Sequence, residues 1–104
     1  MEEIFEKIIE FQSERDWKKF HTPENLAKSI SIEAAELLEH FQWGKEYDIG
    51  EVSEELADVL IYSFYMIDAL DLDLKDIILK KIKKNAIKYP VEKSKGNAIK
   101  YTEL

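Results

Sequence analysis

The amino-acid sequence predicts an all-α fold, a four-helix bundle formed by a single domain over residues 1–104. The chain has only three glycines and two prolines, while 36% of its residues are charged. That composition is typical of helical proteins rather than of turn-rich β folds or disordered chains. Apolar residues also recur at helical spacing in four segments, which are joined by short connections. Short connections favour antiparallel neighbouring helices.

The first two helices have recognisable boundaries. The first is expected over residues 2–16, where isoleucine and phenylalanine recur at helical spacing. The second should begin after Thr22, a good N-cap, with Pro23 at the first helical position. We expect it to continue to about Gln42, because Gly44 then supplies a termination signal.

The third helix, expected over residues 51–70, is apolar on nearly every side. Such a helix is usually buried, and in so small a protein its burial requires a second subunit. We therefore predict a homo-oligomer. Asp73 should cap the fourth helix and Pro90 should stop it, which leaves residues 91–104 as an irregular tail.

Several functional classes are excluded or disfavoured by composition. The absence of cysteine excludes disulfides, zinc thiolate sites and thiol catalysis. The acidic, amphipathic N-terminus does not resemble a signal peptide, and the longest uncharged apolar run, residues 59–67, is far shorter than the roughly 20 residues of a membrane span. We expect a soluble cytoplasmic protein with no membrane partner. A net charge of −7 argues against nucleic-acid binding, although the C-terminal part is rich in lysine.

Four acidic residues form two pairs with the same spacing: Glu33 with Glu36, and Glu55 with Asp58. Residues three apart lie on one face of a helix, and both pairs border apolar surface. If the second and third helices are antiparallel, the pairs can converge on one cavity. Carboxylates gathered there would repel each other, and Lys45 is the only lysine between residues 29 and 74.

A divalent cation would neutralise these carboxylates, and a set of oxygen ligands suits Mg²⁺, with Mn²⁺ as a possible substitute. The alternative is a solvated acidic face that binds a basic partner, as in a non-enzymatic helical interaction module. A di-iron bundle is disfavoured because His40 follows Glu36 by four residues rather than three. We expect His40 at the surface.

The acidic motifs EAAE (33–36) and EELAD (54–58) resemble the ExxE…ExxD signature of the MazG-like all-α nucleoside triphosphate pyrophosphohydrolases. The similarity is greatest to the dCTP pyrophosphatase branch. Five segments resemble that branch in order: ERDWKKFHTPENL (14–26), EHFQW (39–43), EELADVLIY (54–62), KNAIKYPV (84–91) and SKGNAIKYT (94–102). One departure is Ile32, which stands where many MazG proteins have an additional glutamate.

The resemblance implies a MazG-like bundle, assembled as a homodimer or homotetramer. It also implies Mg²⁺-dependent conversion of a nucleoside triphosphate to the monophosphate and pyrophosphate, as nucleotide-pool house-cleaning. The substrate would be dCTP or a related pyrimidine deoxynucleotide. The implied metal ligands are Glu33, Glu36, Glu55 and Asp58, and the implied nucleotide-binding residues are Trp17, His21, Trp43, Tyr62, Lys81 and Asn85. Two residues of the tail, Lys100 and Tyr101, are further candidates that could close over the nucleotide.

Two of these residues have candidate catalytic roles. One of the four acids, with Glu36 as our candidate, would act as the general base that orients the attacking water. Lys81 would add positive charge near the leaving pyrophosphate, where Lys84 and Lys88 are also possible. The tryptophans and Tyr62 have an alternative role in the core or at an interface.

Overall fold

The computed structural model describes residues 2–103, and every regular element within this range is helical. The predicted all-α fold class is therefore confirmed. The elements are α1 (Glu2–Glu14), a 3₁₀ helix (Lys18–Phe20), α2 (Pro23–Glu39), α3 (Ile49–Ala69), α4 (Leu74–Lys88), α5 (Val91–Ser94) and a second 3₁₀ helix (Tyr101–Glu103). The chain forms two compact units, Met1–Asp71 and Leu72–Leu104.

Side-chain caps fix the beginnings of three long helices. Thr22, Asp48 and Asp73 precede α2, α3 and α4, and a side-chain oxygen of each accepts a hydrogen bond from the backbone amide three residues later. The donor–acceptor distances are 3.2, 3.1 and 2.8 Å, respectively. These bonds satisfy amides that have no carbonyl partner in the first turn. The predicted caps Thr22 and Asp73 are confirmed.

Some predicted boundaries were wrong. Helix α2 ends at Glu39 rather than Gln42, and the backbone continues through i→i+3 turn bonds before the loop. Gly44, expected to terminate the helix, instead adopts φ +137° within that loop, a conformation that favours glycine. Helix α1 ends at Glu14, before Asp16 with φ +53°. The tail expected to be irregular contains α5 and the second 3₁₀ helix.

In the first unit, α3 packs against both α2 and α1. Contacts between side chains show that α2 and α3 run antiparallel. His21, before α2, stacks on Tyr65 near the end of α3, whereas His40, after α2, lies beside Glu55 near the beginning of α3. The most buried apolar side chains are Leu26, Tyr65 and Ile67.

Within a single chain, α3 is not buried on all sides, so its predicted burial by a second subunit stays a prediction. Leu56 and Leu60 on this helix are 47% and 50% exposed. Their side chains belong to the apolar surface that led us to predict a second subunit. Within residues 2–103, none of the helices combines the length and apolarity needed to cross a membrane.

The second unit consists of α4, α5 and the second 3₁₀ helix. Helix α4 ends one residue before Tyr89, and Pro90 follows in an extended conformation, which agrees with the predicted stop. The rings of Tyr89 and Tyr101 meet edge to face, with centroids 5.9 Å apart. The Nζ atom of Lys88 lies 4.9 Å from the Tyr101 ring centroid, so the C-terminal segment folds back on the end of α4.

Candidate active site

Three of the four predicted acidic ligands come together on α2 and α3. Single carboxylate oxygens of Glu33, Glu55 and Asp58 lie within 4.8 Å of one another, and all three residues are half-buried. We call these residues the acidic cluster. Helical spacing places Glu55 and Asp58 on one face of α3, and the antiparallel packing of α2 brings Glu33 towards them. The predicted convergence of carboxylates from the two helices is therefore observed for this set.

The acidic cluster is electrostatically unfavourable without a cation. Burial is the main cause that raises the pKa of Glu33 to about 7. A hydrogen bond with Glu36, which requires one of the two carboxyls to be protonated, and the negative charges of Glu36, Asp58 and Glu55 raise this pKa further. The Oε2 atom of Glu33 is buried and has no hydrogen-bond partner within residues 2–103. An unpartnered buried oxygen beside two other carboxylates fits a hard divalent cation.

Glu36, the fourth predicted ligand, is placed differently from the other three. It is half-buried one turn after Glu33 on α2 and acts on the pKa of Glu33, but it lies outside the set of three oxygens. Tyr62 lies one turn after Asp58 on α3. Its phenolic pKa is raised by burial first, and then by the charges of Glu33, Asp58 and Glu36. Tyr62 therefore lies close enough to the carboxylates for their negative charge to disfavour ionisation of its hydroxyl group.

His40 is a neighbour of the cluster that the sequence analysis assigned to the surface. Its Nε2 atom lies 3.6 Å from Oε1 of Glu55, its Nδ1 atom lies 3.8 Å from Oε2 of Glu51, and its side chain is 20% exposed. When protonated, it can pair with both carboxylates. The sequence spacing alone could not reveal this position, because it depends on how the loop after α2 turns back onto α3.

An apolar cleft of ≈ 370 Å³ lies directly beside the acidic cluster. Asp58 belongs to both features, so the cleft opens onto the carboxylates. The other lining residues come from α1, from α3 and from the residue just before the first 3₁₀ helix: Ile4, Lys7, Ile8, Phe11, Trp17, Ile61, Tyr62 and Tyr65. A cleft lined mainly by aromatic and aliphatic side chains, with few polar groups, is typical of a small-molecule site.

Aromatic rings form one wall of the cleft. Trp17 meets Phe11 edge to face, with ring centroids 5.8 Å apart, and Tyr62 meets Tyr65 in the same manner at 6.0 Å. His21 lies behind this wall: its ring stacks on Tyr65 at 5.0 Å and contacts Trp17 and Tyr62 edge to face. Trp17 and Tyr62, both predicted to bind nucleotide, line the cleft, whereas His21 does not.

The remaining predicted nucleotide-binding residues lie elsewhere in the chain. Trp43 is 88% exposed in the loop between α2 and α3 and is absent from the cleft of its own chain. Lys81 and Asn85 are one turn apart on α4. Lys100 immediately precedes the second 3₁₀ helix, which begins with Tyr101. The second unit contains four of these predicted site residues: Lys81, Asn85, Lys100 and Tyr101.

Much of the cleft wall was not predicted from the sequence. Residues such as Ile8 and Phe11 were assigned to the apolar face of the first helix, and such a face normally forms core. In the structure that face is only partly covered, and Ile4 and Phe11 are 53% and 45% exposed. The available signal was the excess of large apolar residues on α1 and α3 over what a small domain can bury.

This chain matches the model of the MazG-like family over residues 28–104. The chain belongs to the MazG-like family. It is 38% identical to dCTP pyrophosphatase 1 from Mus musculus and 36% identical to that from Homo sapiens. Each comparison covers 100% of this chain and 67% of the mammalian protein. The predicted family resemblance is therefore confirmed.

A solved structure supports the same assignment. The chain is similar to the crystal structure of a pyrophosphatase from Archaeoglobus fulgidus DSM 4304, with a TM-score of 0.80 and 46% sequence identity. The similar region covers 86% of this chain and 92% of the archaeal chain. The MazG-like fold is thus supported by both sequence and structure.

Proposed function

We propose that this protein is a divalent-metal-dependent nucleoside triphosphate pyrophosphohydrolase. Its substrate would be dCTP or a related pyrimidine deoxynucleotide, and its products the monophosphate and pyrophosphate. The observation that carries the proposal is the acidic cluster at the mouth of an aromatic cleft. The predicted enzyme class, a nucleoside triphosphate diphosphatase, is confirmed by the dCTP pyrophosphatases and the archaeal pyrophosphatase to which the chain is similar.

The two parts of the site suit the two parts of a nucleotide. The rings of Trp17 and Tyr62 offer faces and edges against which a base and sugar can pack. The acidic cluster lies at Asp58, where the triphosphate of a nucleotide held in the cleft could reach it through metal ions. Because free phosphates are anionic, the carboxylates would repel them unless a cation lay between.

Glu33, Glu55 and Asp58 would hold the metal, with Glu36 as a further ligand. We infer Mg²⁺, with Mn²⁺ as a substitute, because the ligands are carboxylate oxygens without histidine or cysteine. When bound, such a cation neutralises charge on the phosphate oxygens and favours in-line displacement. The buried Oε2 atom of Glu33 supports this assignment, since it has no hydrogen-bond partner among the described residues and a bound cation would coordinate it.

The proposed general base is Glu36. Its carboxylate lies next to Glu33 and has two oxygens, so one oxygen could bind the metal while the other accepts a proton from the attacking water. Lys81 would contribute positive charge near the leaving pyrophosphate. We propose further phosphate contacts from Asn85 and closure over the ligand by Lys100 and Tyr101.

The single domain is proposed to span residues 1–104 and to function as a homodimer or homotetramer. The family match over residues 28–104 extends across both compact units, which supports one functional domain. Half-exposed Leu56 and Leu60, together with the 88% exposure of Trp43, support contact with another copy. In that assembly, Trp43 would complete a nucleotide pocket of a neighbouring subunit. Light scattering coupled to size-exclusion chromatography would measure the mass.

Nucleotide-pool house-cleaning is the proposed cellular role, and we propose the cytoplasm as its compartment. Neither a nucleic acid nor a membrane is a proposed partner. The non-enzymatic interaction module is less well supported, because Glu33, Glu55 and Asp58 converge in a half-buried cluster instead of forming a solvated face.

The decisive experiment is a product analysis. The purified protein would be incubated separately with each common dNTP and NTP, with Mg²⁺ or with a chelator, and the products resolved by ion-exchange chromatography. We expect monophosphate and pyrophosphate only when metal is present, with dCTP among the best substrates. Asp58→Asn would serve as the inactive control.

Other product patterns would change the assignment. Diphosphate with orthophosphate would retain a metal-dependent phosphohydrolase but overturn pyrophosphate release. Turnover in the chelator that equals turnover with Mg²⁺ would overturn the metal assignment. If no nucleotide were hydrolysed, the interaction module would become the better hypothesis.

A further inference from the structure

Gln12 is a buried polar side chain immediately behind the aromatic wall of the cleft. It lies near the end of α1 and is only 2% exposed. Its Nε2 atom is 2.8 Å from Nδ1 of His21. An amide nitrogen can only donate, so Nδ1 of His21 accepts this hydrogen bond. The neutral imidazole then carries its proton on Nε2, and both the tautomer and the orientation of the ring are fixed by Gln12.

The same residue also holds the backbone of the segment that contains Trp17. The carbonyl oxygen of Gln12 accepts a hydrogen bond from the amide of Trp17 at a distance of 3.2 Å. Gln12 is therefore tied to Trp17 through the backbone and to His21 through its side chain. These two attachments span the short 3₁₀ helix between them.

His21 transmits this restraint to the cleft through direct ring contacts. It stacks on Tyr65 with an interplanar angle of 25°, and it meets Trp17 and Tyr62 edge to face at centroid distances of 6.2 and 6.1 Å. All three of these aromatic partners line the cleft, although His21 itself does not. A rotation of the imidazole would therefore disturb the wall at three places.

Packing alone does not account for a glutamine at this position. The Oε1 atom of Gln12 is buried and has no hydrogen-bond partner among the residues that the structure describes. A leucine would occupy a similar volume without leaving a polar atom unsatisfied. The observed geometry gives the amide another role, because its N–H group can donate to the unprotonated Nδ1 of the neutral imidazole and a leucine cannot.

We propose that Gln12 is a positioning residue for nucleotide binding: it fixes His21, which in turn holds the aromatic wall formed by Trp17, Tyr62 and Tyr65. This inference rests on the proposed function, in which that wall packs against the base and sugar. It also changes the role of His21 from a nucleotide contact to a support for residues that make the contact.

The proposal can be tested by comparing Gln12→Leu with the double variant Gln12→Leu/His21→Phe. The steady-state constants kcat and KM would be measured with Mg²⁺ and dCTP, or with whichever dNTP the wild type hydrolyses fastest. In Gln12→Leu the imidazole loses its restraint, and we expect KM to rise about tenfold while kcat changes less than about twofold. Ser13→Ala, an exposed neighbour on α1, is the matched control and should leave both constants unchanged.

The double variant separates positioning from direct contact. It removes both polar groups and keeps an aromatic ring in the stack, so we expect KM within about threefold of the wild-type value. A KM that remains about tenfold raised would overturn the positioning role and indicate that an imidazole nitrogen contacts the nucleotide. The double variant also provides the test if Gln12→Leu does not fold, as judged by circular dichroism.

The remaining outcomes distinguish this proposal from the function on which it rests. An unchanged KM in folded Gln12→Leu, measured beside an active wild type, would overturn the positioning role alone. A loss of kcat without a change in KM would also overturn it, because the defect would then lie in the chemical step. A wild type that hydrolyses no nucleotide would overturn the proposed function and this inference together.

Discussion

The acidic cluster and the aromatic cleft are adjacent, yet their side chains have opposite effects on the stability of the folded protein. In the acidic cluster, half-buried Glu33 has a raised pKa and a buried oxygen, Oε2, without a partner in the described part of the chain, so the arrangement opposes folding in the absence of a cation. In the cleft, Tyr65 is 3% exposed and packs against other rings, so the same side chains that border the ligand space also stabilise the fold. Asp58 and Tyr62 connect the two regions.

This difference shows how one surface of a small protein can combine ligand binding with stability. The carboxylates repel one another, and this repulsion is offset only when a cation binds between them. The aromatic residues need no ligand for their packing. Variants of the acidic cluster should therefore affect turnover and metal response, whereas variants of the cleft should affect substrate affinity.

The largest expected effect comes from removing a carboxylate shared by both regions. Asp58→Asn keeps the shape of the side chain but removes its charge, so kcat with Mg²⁺ should fall by about 10²–10³-fold. Pyrophosphate release gives the measurement. Glu54→Gln, an exposed residue on the same helix, should retain near-wild-type activity; equal losses in the two variants would contradict a specific role for Asp58.

A smaller effect is expected when the aromatic wall is opened. Stacking of a base on an aromatic ring contributes about 1–3 kcal/mol, so Trp17→Ala should raise KM by roughly 5–150-fold with a much smaller change in kcat. The exposed aromatic residue Phe20 provides the control through Phe20→Ala. Unchanged KM in Trp17→Ala would separate the cleft from nucleotide binding, whereas a matching rise in both variants would indicate a general structural defect.

Replacing Glu33 by glutamine should change the thermal stability of the protein in opposite directions with and without metal. The pKa of Glu33 rises from 4.5 to about 7 in the folded protein, so its contribution to stability is present below pH 4.5 and is lost as the pH rises through 7. Glu33→Gln cannot ionise. Without metal, the variant should gain thermal stability relative to wild type across this window, by roughly 5 °C at pH 8.

Saturating Mg²⁺ should reverse this order, because the wild type would bind the cation more tightly than Glu33→Gln does. Thermal unfolding followed by circular dichroism, with chelator and with Mg²⁺, measures both effects. A pH-independent difference in the chelator would contradict the raised pKa. The same order of stability with Mg²⁺ would contradict the role of Glu33 as a ligand.

The smallest expected effect concerns the support behind the cleft. Burial lowers the pKa of His21 below 6.5 in the folded protein, so the associated stability is present above pH 6.5 and is lost as the pH falls towards the folded-state value. His21→Phe should lack this decline, which cannot exceed about 1.4 kcal/mol per pH unit for one proton. Urea unfolding at several pH values would measure it, and parallel curves for the two proteins would contradict the lowered pKa.

Local sequence patterns predicted the helices better than their ends. The caps Thr22 and Asp73 were identified because each acts on an amide only three residues away. The end of α2 was misplaced, since the chain leaves the helix at Glu39 through turn bonds that have no distinctive residue signal. Gly44 was predicted to end that helix, but it adopts its positive φ within the loop, after the helix has already ended at Glu39.

The acidic cluster was partly predictable because helical spacing and the absence of local cations could be read directly. Spacing of three residues places Glu55 and Asp58 on one face of α3, and Glu33 could meet them if α2 was antiparallel, which the structure shows. The aromatic wall was less predictable. Phe11 has the same sequence pattern whether its helix face is covered by core or left open as a cleft, and only the packing distinguishes these outcomes.

The sequence by itself determined the helical class, the main caps and which acidic side chains share a helix face, because each depends on interactions over three or four residues. Tertiary structure decided that Glu33 meets Glu55 and Asp58, that His40 approaches Glu55, and that Gln12 holds His21 behind the cleft. Those contacts join residues on different elements. Their distances depend on how α1, α2 and α3 pack, which no local pattern specifies.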